Sequence, residues 1–203
     1  MSRNPLIVFE GIEGSGKSHH IHNVVKYLIK KKKNFIQIRE PGGNKNSEKI
    51  RKLILDNKST FNKNTDLLLY LSARSENIDT IKKNYGKKII LMDRFVDSTI
   101  AYQHYGMGVN IKFIKSINDF LLKDIDVDFT FLNLVTPINM KIRLLKRKKL
   151  NRYDQLSSSF YKKAQDGFIK ILKKNPKKYM KIDSNLNIDD NEIIILNKIK
   201  ELI

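Results

Sequence analysis

Five short apolar runs punctuate this chain, and between them apolar residues recur at helical spacing. The run Pro5-Leu6-Ile7-Val8-Phe9 has no polar interruption, as in a strand buried on both faces. Past it, Ile21, Val24, Val25, Leu28 and Ile29 return every three or four positions, which predicts a helix. On this pattern strands are predicted at 5–10, 34–39, 87–92, 128–134 and 178–183. Helices are predicted at 17–32, 47–57, 65–84, 95–104, 111–123, 136–149, 157–173 and 189–202. Strands alternating with helices imply an α/β fold, a five-stranded parallel sheet with helices on both faces. Ligands of such sheets bind beyond the carboxyl ends of the strands. No internal repeat or long Pro/Gly/Ser linker divides the chain, so residues 1–203 are expected to form one domain.

The first strand runs into Phe9-Glu10-Gly11-Ile12-Glu13-Gly14-Ser15-Gly16-Lys17-Ser18. Gly11, Gly16, Lys17 and Ser18 fit G-x-x-x-x-G-K-[ST], the P-loop. Its glycines let backbone N–H groups turn inward around a phosphate, and the helix that follows aims its positive end at the same anion. Lys17 can reach the outer phosphates, and the Ser18 hydroxyl can ligate Mg²⁺. This predicts a three-layer P-loop NTPase fold.

Other candidate groups fall at the same sheet edge. The second strand ends in Arg39-Glu40-Pro41-Gly42-Gly43, where Pro41 and the glycines shape a loop and Arg39 is placed to clamp a second phosphate. Tyr70 and Arg74, four apart, share a helical face. Periodicity serves two readings equally: a core tyrosine with a surface arginine, or a ring for a base to stack on with a guanidinium donating to base carbonyls. The third strand ends in Asp93-Arg94-Phe95, an acid where P-loop proteins keep a carboxylate near Mg²⁺ and an arginine suited to phosphate. Asp97, Ser98, Ala101, Tyr102 and Gln103 follow at helical spacing. Lys141 to Arg152 is strongly basic, either a solvated helix end or a mobile lid, at about 143–156, that closes cations over transferring phosphates.

Composition changes this picture little. The 203 residues carry a net charge of +19, mostly lysine, with no cysteine, which excludes disulfides and thiolate zinc sites. Lysine, asparagine and isoleucine all have A/T-rich codons, and the lysines are scattered rather than gathered in a stripe with interleaved aromatics. Compositional drift therefore outweighs a nucleic-acid surface. No apolar run approaches a membrane span, and Met-Ser-Arg-Asn-Pro lacks a signal-peptide pattern, so a cytoplasmic enzyme is expected, with no membrane partner. His19 and His22 share a helical face but no third metal ligand is evident.

Together these motifs resemble the thymidylate kinase family. The residues that carry the resemblance are Phe9 to Ser18, Arg39-Glu40-Pro41-Gly42-Gly43, Leu68-Leu69-Tyr70 with Arg74, and Asp93 to Gln103, in the family's order and spacing. Arg147 to Gln155 is similar to its lid, with Lys148 and Asn151 where the family often has Gly and Asp. The resemblance implies phosphorylation of dTMP by ATP with Mg²⁺, in a homodimer. Gly11, Ile12, Glu13, Gly14, Ser15, Gly16, Lys17 and Ser18 would hold ATP phosphates. Glu13 would sit near the acceptor phosphate or its metal, with Ser18 and Asp93 on the metal. Arg39 and Arg94 would hold the dTMP phosphate, Tyr70 would stack on thymine, and Arg74 would donate to a thymine carbonyl. Ser98, Tyr102 and Gln103 would line the base and deoxyribose pocket. Because Glu13 and Gly14 leave the P-loop without a second cation, catalysis by Lys17 and Arg94 would be completed from the lid, by Arg147 first and Arg152 second. Two alternatives remain at this stage: a kinase for another monophosphate or a deoxynucleoside, and a basic P-loop nucleic-acid-binding protein.

Overall fold

The computed structural model describes residues 3–203. The apolar runs become β1 (Leu6–Glu10), β2 (Phe35–Arg39), β3 (Ile89–Asp93), β4 (Phe129–Leu134) and β5 (Tyr179–Asp183). They form one all-parallel sheet in the order β2-β3-β1-β4-β5. The central strand β1 is buried along its whole length, as its uninterrupted apolar pattern requires. The edge strands β2 and β5 expose Gln37 and Lys181.

Helices α1 (Lys17–Lys30), α2 (Lys45–Leu55), α3 (Lys63–Asn84), α4 (Val96–Thr99), α5 (Ile111–Leu122), α6 (Pro137–Leu145), α7 (Ser158–Lys174) and α8 (Ile188–Leu202) connect the strands. Side-chain alternation along β1 divides the core. Ile7 and Phe9 pack with Ile21, Val24 and Leu28 of α1 and Ile195 and Ile199 of α8. Leu6 and Val8 pack on the other face with Ile78 and Ile81 of α3. A third cluster lies past the carboxyl ends of the strands, where Tyr102, Met140, Leu144, Tyr153, Phe160 and Phe168 join the segment after α4 to α6 and α7. This cluster supports the site.

Several helix limits differ from the pattern's prediction. The Asn44 side chain accepts from Asn46 N and Ser47 N, and Asn62 from Asn64 N and Thr65 N, so α2 and α3 begin at Lys45 and Lys63. Asparagine caps satisfy N–H groups that a hydrophobic pattern does not see. The helix predicted over 136–149 stops at Leu145, where Lys146-Arg147-Lys148-Lys149 would stack like charges on further turns. The helix predicted over 95–104 is α4 followed by a wide π-type turn, Ile100–Gly106, closed by Met107 N donating to Tyr102 O at 2.9 Å. The extra residue per turn lets three consecutive side chains, Ala101, Tyr102 and Gln103, all be buried.

Candidate active site

The site begins at the loop between β1 and α1. Gly11 has φ 138°, and a Cβ there would meet the Asn133 carbonyl at 2.3 Å. Gly16, at φ 84°, turns the chain into α1. The Lys17 ammonium is folded onto the loop, donating to Gly11 O at 2.7 Å, Ile12 O at 2.9 Å and Ser15 Oγ at 3.3 Å. Burial, with Arg94 nearby, lowers its pKa to about 7, while Asp93, Glu13 and Glu10 act the other way. Arg143, on the last turn of α6, braces the loop from outside by donating to Gly14 O at 2.9 Å and Ser184 O at 2.5 Å.

A cavity of about 270 Å³ opens from this loop. Strand register brings its next groups into line, since Asp93 on β3 lies opposite both Phe9 on β1 and Arg39 on β2. Four arginines, Arg39, Arg51, Arg94 and Arg147, line the cavity. Arg39 pairs with Glu48 at 3.0 Å, and Arg51 donates to Pro41 O at 2.6 Å. Arg94 donates to Glu13 Oε1 at 2.8 Å, Gly11 O at 2.8 Å and Ser98 Oγ at 3.2 Å. Its backbone is left-handed, at φ 67°, an uncommon conformation for a side chain of this size. Buried Glu10 holds it there, accepting from Phe95 N at 2.8 Å, Ser98 N at 3.2 Å and Ser98 Oγ at 2.5 Å. Burial, reinforced by Asp97, raises the Glu10 pKa to about 7. Burial raises Glu13 too, but Arg94 and Lys17 outweigh it and leave that carboxyl below its usual range.

The far wall is aromatic and polar. Tyr70, Tyr102, Gln103 and Tyr153 all line the cavity. The Tyr70 ring meets Tyr153 edge-on at 5.7 Å, and the Arg94 guanidinium lies 5.2 Å from the Tyr102 ring centre. The Tyr102 hydroxyl donates to Glu13 Oε2. Gln103 donates to Tyr153 Oη at 3.2 Å and Asp66 Oδ2 at 3.3 Å. From the basic segment, Arg147 and Asn151 reach the cavity, and Arg147 donates to Asp154 Oδ1 at 2.5 Å.

The thymidylate kinase family model matches residues 9–195. The chain is 36% identical over 198 residues to the thymidylate kinase of Acholeplasma laidlawii, covering 96% of this chain and 98% of that one. It is 37% identical over 183 residues to the thymidylate kinase of Thermoanaerobacter sp. strain X514, covering 89% and 90%. The crystal structure of thymidylate kinase from Ehrlichia chaffeensis superposes with a TM-score of 0.78 at 31% identity, covering 98% of this chain and 99% of that one. The chain belongs to the thymidylate kinase family. Its fold is accordingly the P-loop NTPase fold, and its class is that of an ATP-dependent nucleoside-monophosphate kinase, a transferase. Among the described residues no helix is long and apolar enough to cross a membrane.

Most of the residues singled out from the sequence converge on this one cavity: Glu13, Gly14, Ser15, Gly16, Lys17, Ser18, Arg39, Tyr70, Asp93, Arg94, Ser98, Tyr102, Gln103 and Arg147. Gly11 and Ile12 stand just behind, offering their carbonyls to Lys17. Arg74 and Arg152 stand elsewhere. Arg74, expected to donate to a thymine carbonyl, is 2% exposed and sits outside the lining. It gives its donors to Glu40 Oε2 at 2.8 Å, Asn118 Oδ1 at 2.6 Å and Thr99 Oγ1 at 3.0 Å. Arg152, a candidate catalytic cation, points away to Ile54 O at 2.9 Å and the Asp66 carboxylate. Glu13, expected near a metal, has both oxygens taken by Arg94 and Tyr102. Pattern reading missed Arg51 and Tyr153. Arg51 lies one helical turn after Glu48, a spacing indistinguishable from a surface pair. Tyr153 was hidden by the basic run before it.

Ser18 and Asp93 are the donors that fit Mg²⁺. Both are oxygen groups on the cavity wall, and no hydrogen bond to another side chain occupies either among the described contacts. No cluster of three His, Cys, Asp or Glu side chains that could hold a metal occurs among the described residues.

Proposed function

We propose that this chain passes the γ-phosphoryl group of ATP to dTMP, giving dTDP and ADP, within the supply of dTTP. The observation that carries the reading is the single cavity joining Lys17 and Ser18 to Arg39, Arg51, Arg94 and Tyr70. A donor triphosphate and an anionic acceptor with a flat base have adjoining places in it.

ATP phosphates lie against the main-chain N–H groups of Gly11 to Ser18. Lys17 exchanges the Gly11 and Ile12 carbonyls for the outer phosphates. Arg39, Arg51 and Arg94 receive the acceptor phosphate, Arg94 poised by Glu13 and by its left-handed backbone. Tyr70 offers its face to thymine, while Ser98, Tyr102 and Gln103 line the base and deoxyribose. A dTMP phosphate oxygen attacks the γ-phosphorus in line. The bond to the β–γ bridging oxygen breaks, and its electron pair leaves on ADP. The nucleophile is already anionic, so no general base is needed. The remaining task is positioning and charge neutralisation. Ser18 and Asp93 would hold Mg²⁺, which neutralises charge on the phosphate oxygens when bound. Arg147, on a lid at about 143–156, supplies the last cation over the transferring group.

The enzyme acts in the cytoplasm as a homodimer. Family resemblance supports the pairing, as do Leu53 and Leu68, which are 53% and 48% exposed on neighbouring helices α2 and α3. Sedimentation of the purified chain tests it. The deciding experiment for the activity is ADP release from ATP across dTMP, dUMP, other monophosphates and deoxynucleosides. Strong preference for dTMP is expected. Equal or better use of a substrate lacking the thymine methyl or the 5′-phosphate overturns the reading.

A further inference from the structure

The lid segment is fixed at one end by a buried carboxylate that pattern reading did not select. Asp66, on the first turns of α3, is 1% exposed. One oxygen accepts from the Arg152 guanidinium, the other from the Tyr153 hydroxyl and, at 3.3 Å, from Gln103 Nε2. Arg152 is further held by Ile54 O and lies 5.6 Å from the Phe61 ring centre. Two residues after Arg152, Asp154 has its side chain buried and accepts from Arg147 at 2.5 Å and from Asn151 N at 3.0 Å. Side-chain contacts thus run from Gln103 through Asp66 to Arg152 and Tyr153, the backbone carries the link from Tyr153 to Asp154, and the Asp154 carboxylate holds Arg147. Between Lys146 and Lys149 the backbone has no regular structure and the side chains are exposed.

We propose that Asp66 is a positioning residue: it anchors the lid to the acceptor wall and so sets where Arg147 stands over the cavity. Asp66 does not line the cavity, so it touches neither substrate and acts only through its neighbours. Its three partners have different tasks. Arg152 supplies the compensating charge that lets a carboxylate be buried. Tyr153 and Gln103 belong to the cavity wall. A change at the acceptor side therefore reaches Asp154, and with it Arg147, through one carboxylate. The inference rests on reading Arg147 as the lid cation and Gln103 as part of the acceptor wall.

The test is a double-mutant cycle with a proteolytic readout. Asp66→Asn should lower kcat about ten-fold and Arg147→Ala about a hundred-fold. The double variant should be no slower than Arg147→Ala by more than about two-fold, because Asp66 acts through Arg147. In parallel, trypsin should cut between Lys146 and Lys149 at least about five-fold faster in Asp66→Asn, as local opening becomes easier. Cutting at the exposed Lys30–Lys33 run, which reports general loosening, should be unchanged. Should Asp66→Asn fail to fold, Arg152→Gln breaks the same anchor from outside the cavity and carries the same expectations. Multiplying costs in the double variant, or lid cleavage no faster than wild type, overturns the proposal. The proteolysis needs no substrate, and the cycle uses whichever acceptor the panel selects, so a failure of the dTMP reading stays separate.

Discussion

Arg74 and Arg94 are both inside the protein, both paired with a glutamate at 2.7–2.8 Å, and both close to the carboxyl ends of β2 and β3. Their surroundings give them opposite work. Arg74 is closed off at 2% exposure, with Glu40, Asn118 and Thr99 around its guanidinium and the Phe95 ring 5.2 Å away. Its guanidinium stays outside the cavity lining, although its partner Glu40 is on that wall. Arg94 has a cavity on one side, and its partners Glu13 and Ser98 are themselves on that wall. An arriving phosphate can exchange with them. Charge pairing alone therefore does not separate a structural arginine from a working one. What separates them is whether the guanidinium itself faces the cavity.

Four measurements sharpen or break this contrast. Arg74→Met leaves Glu40 buried without its counter-charge and should cost about 3–5 kcal/mol of folding stability by urea titration. Arg94→Met should cost less stability but lower kcat/KM for the acceptor by about 10²–10³-fold, or about 3–4 kcal/mol of transition-state stabilisation. If Arg74→Met instead spares stability and abolishes acceptor use, Arg74 touches the base and the contrast collapses.

The third measurement concerns Glu10, which holds the Arg94 turn. Its folded pKa of about 7 lies above the ordinary 4.5, so between these values the folded state keeps a proton that the unfolded chain has lost. Its contribution to stability is full below 4.5 and declines as pH rises to about 7. The slope is at most about 1.4 kcal/mol per pH unit. Glu10→Gln should flatten the fall in the urea midpoint across that window, leaving the part due to Asp97, whose pKa is raised to about 6. An unchanged slope would mean that Glu10 is already ionised near its ordinary value. The smallest effect is reserved for Arg39 and Glu48, whose side chains are 51% and 36% exposed. Glu48→Ala should change stability by about 1 kcal/mol or less, as exposed pairs do.

The two halves of the site were not equally legible in the chain. The phosphate loop is contiguous, and its glycines, Lys17 and Ser18 act through local backbone geometry, so ten residues contain nearly the whole device. The strands were legible because burial on both faces leaves an uninterrupted apolar run. The rest of the cavity wall is assembled from Arg39, Tyr70, Arg94, Gln103 and Tyr153, which meet only after the sheet has formed. Asp66 and Tyr153 lie 87 residues apart, and no period links them. Arg74 shows the converse failure. Its spacing from Tyr70 placed both on one helical face, but a buried carboxylate on a different loop, Glu40, decided where its guanidinium went. The π-type turn after α4 escaped for a related reason: its extra residue follows from packing Ala101, Tyr102 and Gln103 together, not from their identities.

Arg94 also bears on how this chain would respond to selection. A left-handed backbone is adopted at low cost by glycine and at about 1–2 kcal/mol by other residues. Glycine at position 94 would relieve that cost, but it would also leave Glu13 without its counter-charge and Gly11 O and Ser98 Oγ without a donor. Backbone relief and ion pairing therefore pull in opposite directions at this one position, and a demand for heat tolerance alone does not favour loss of the arginine.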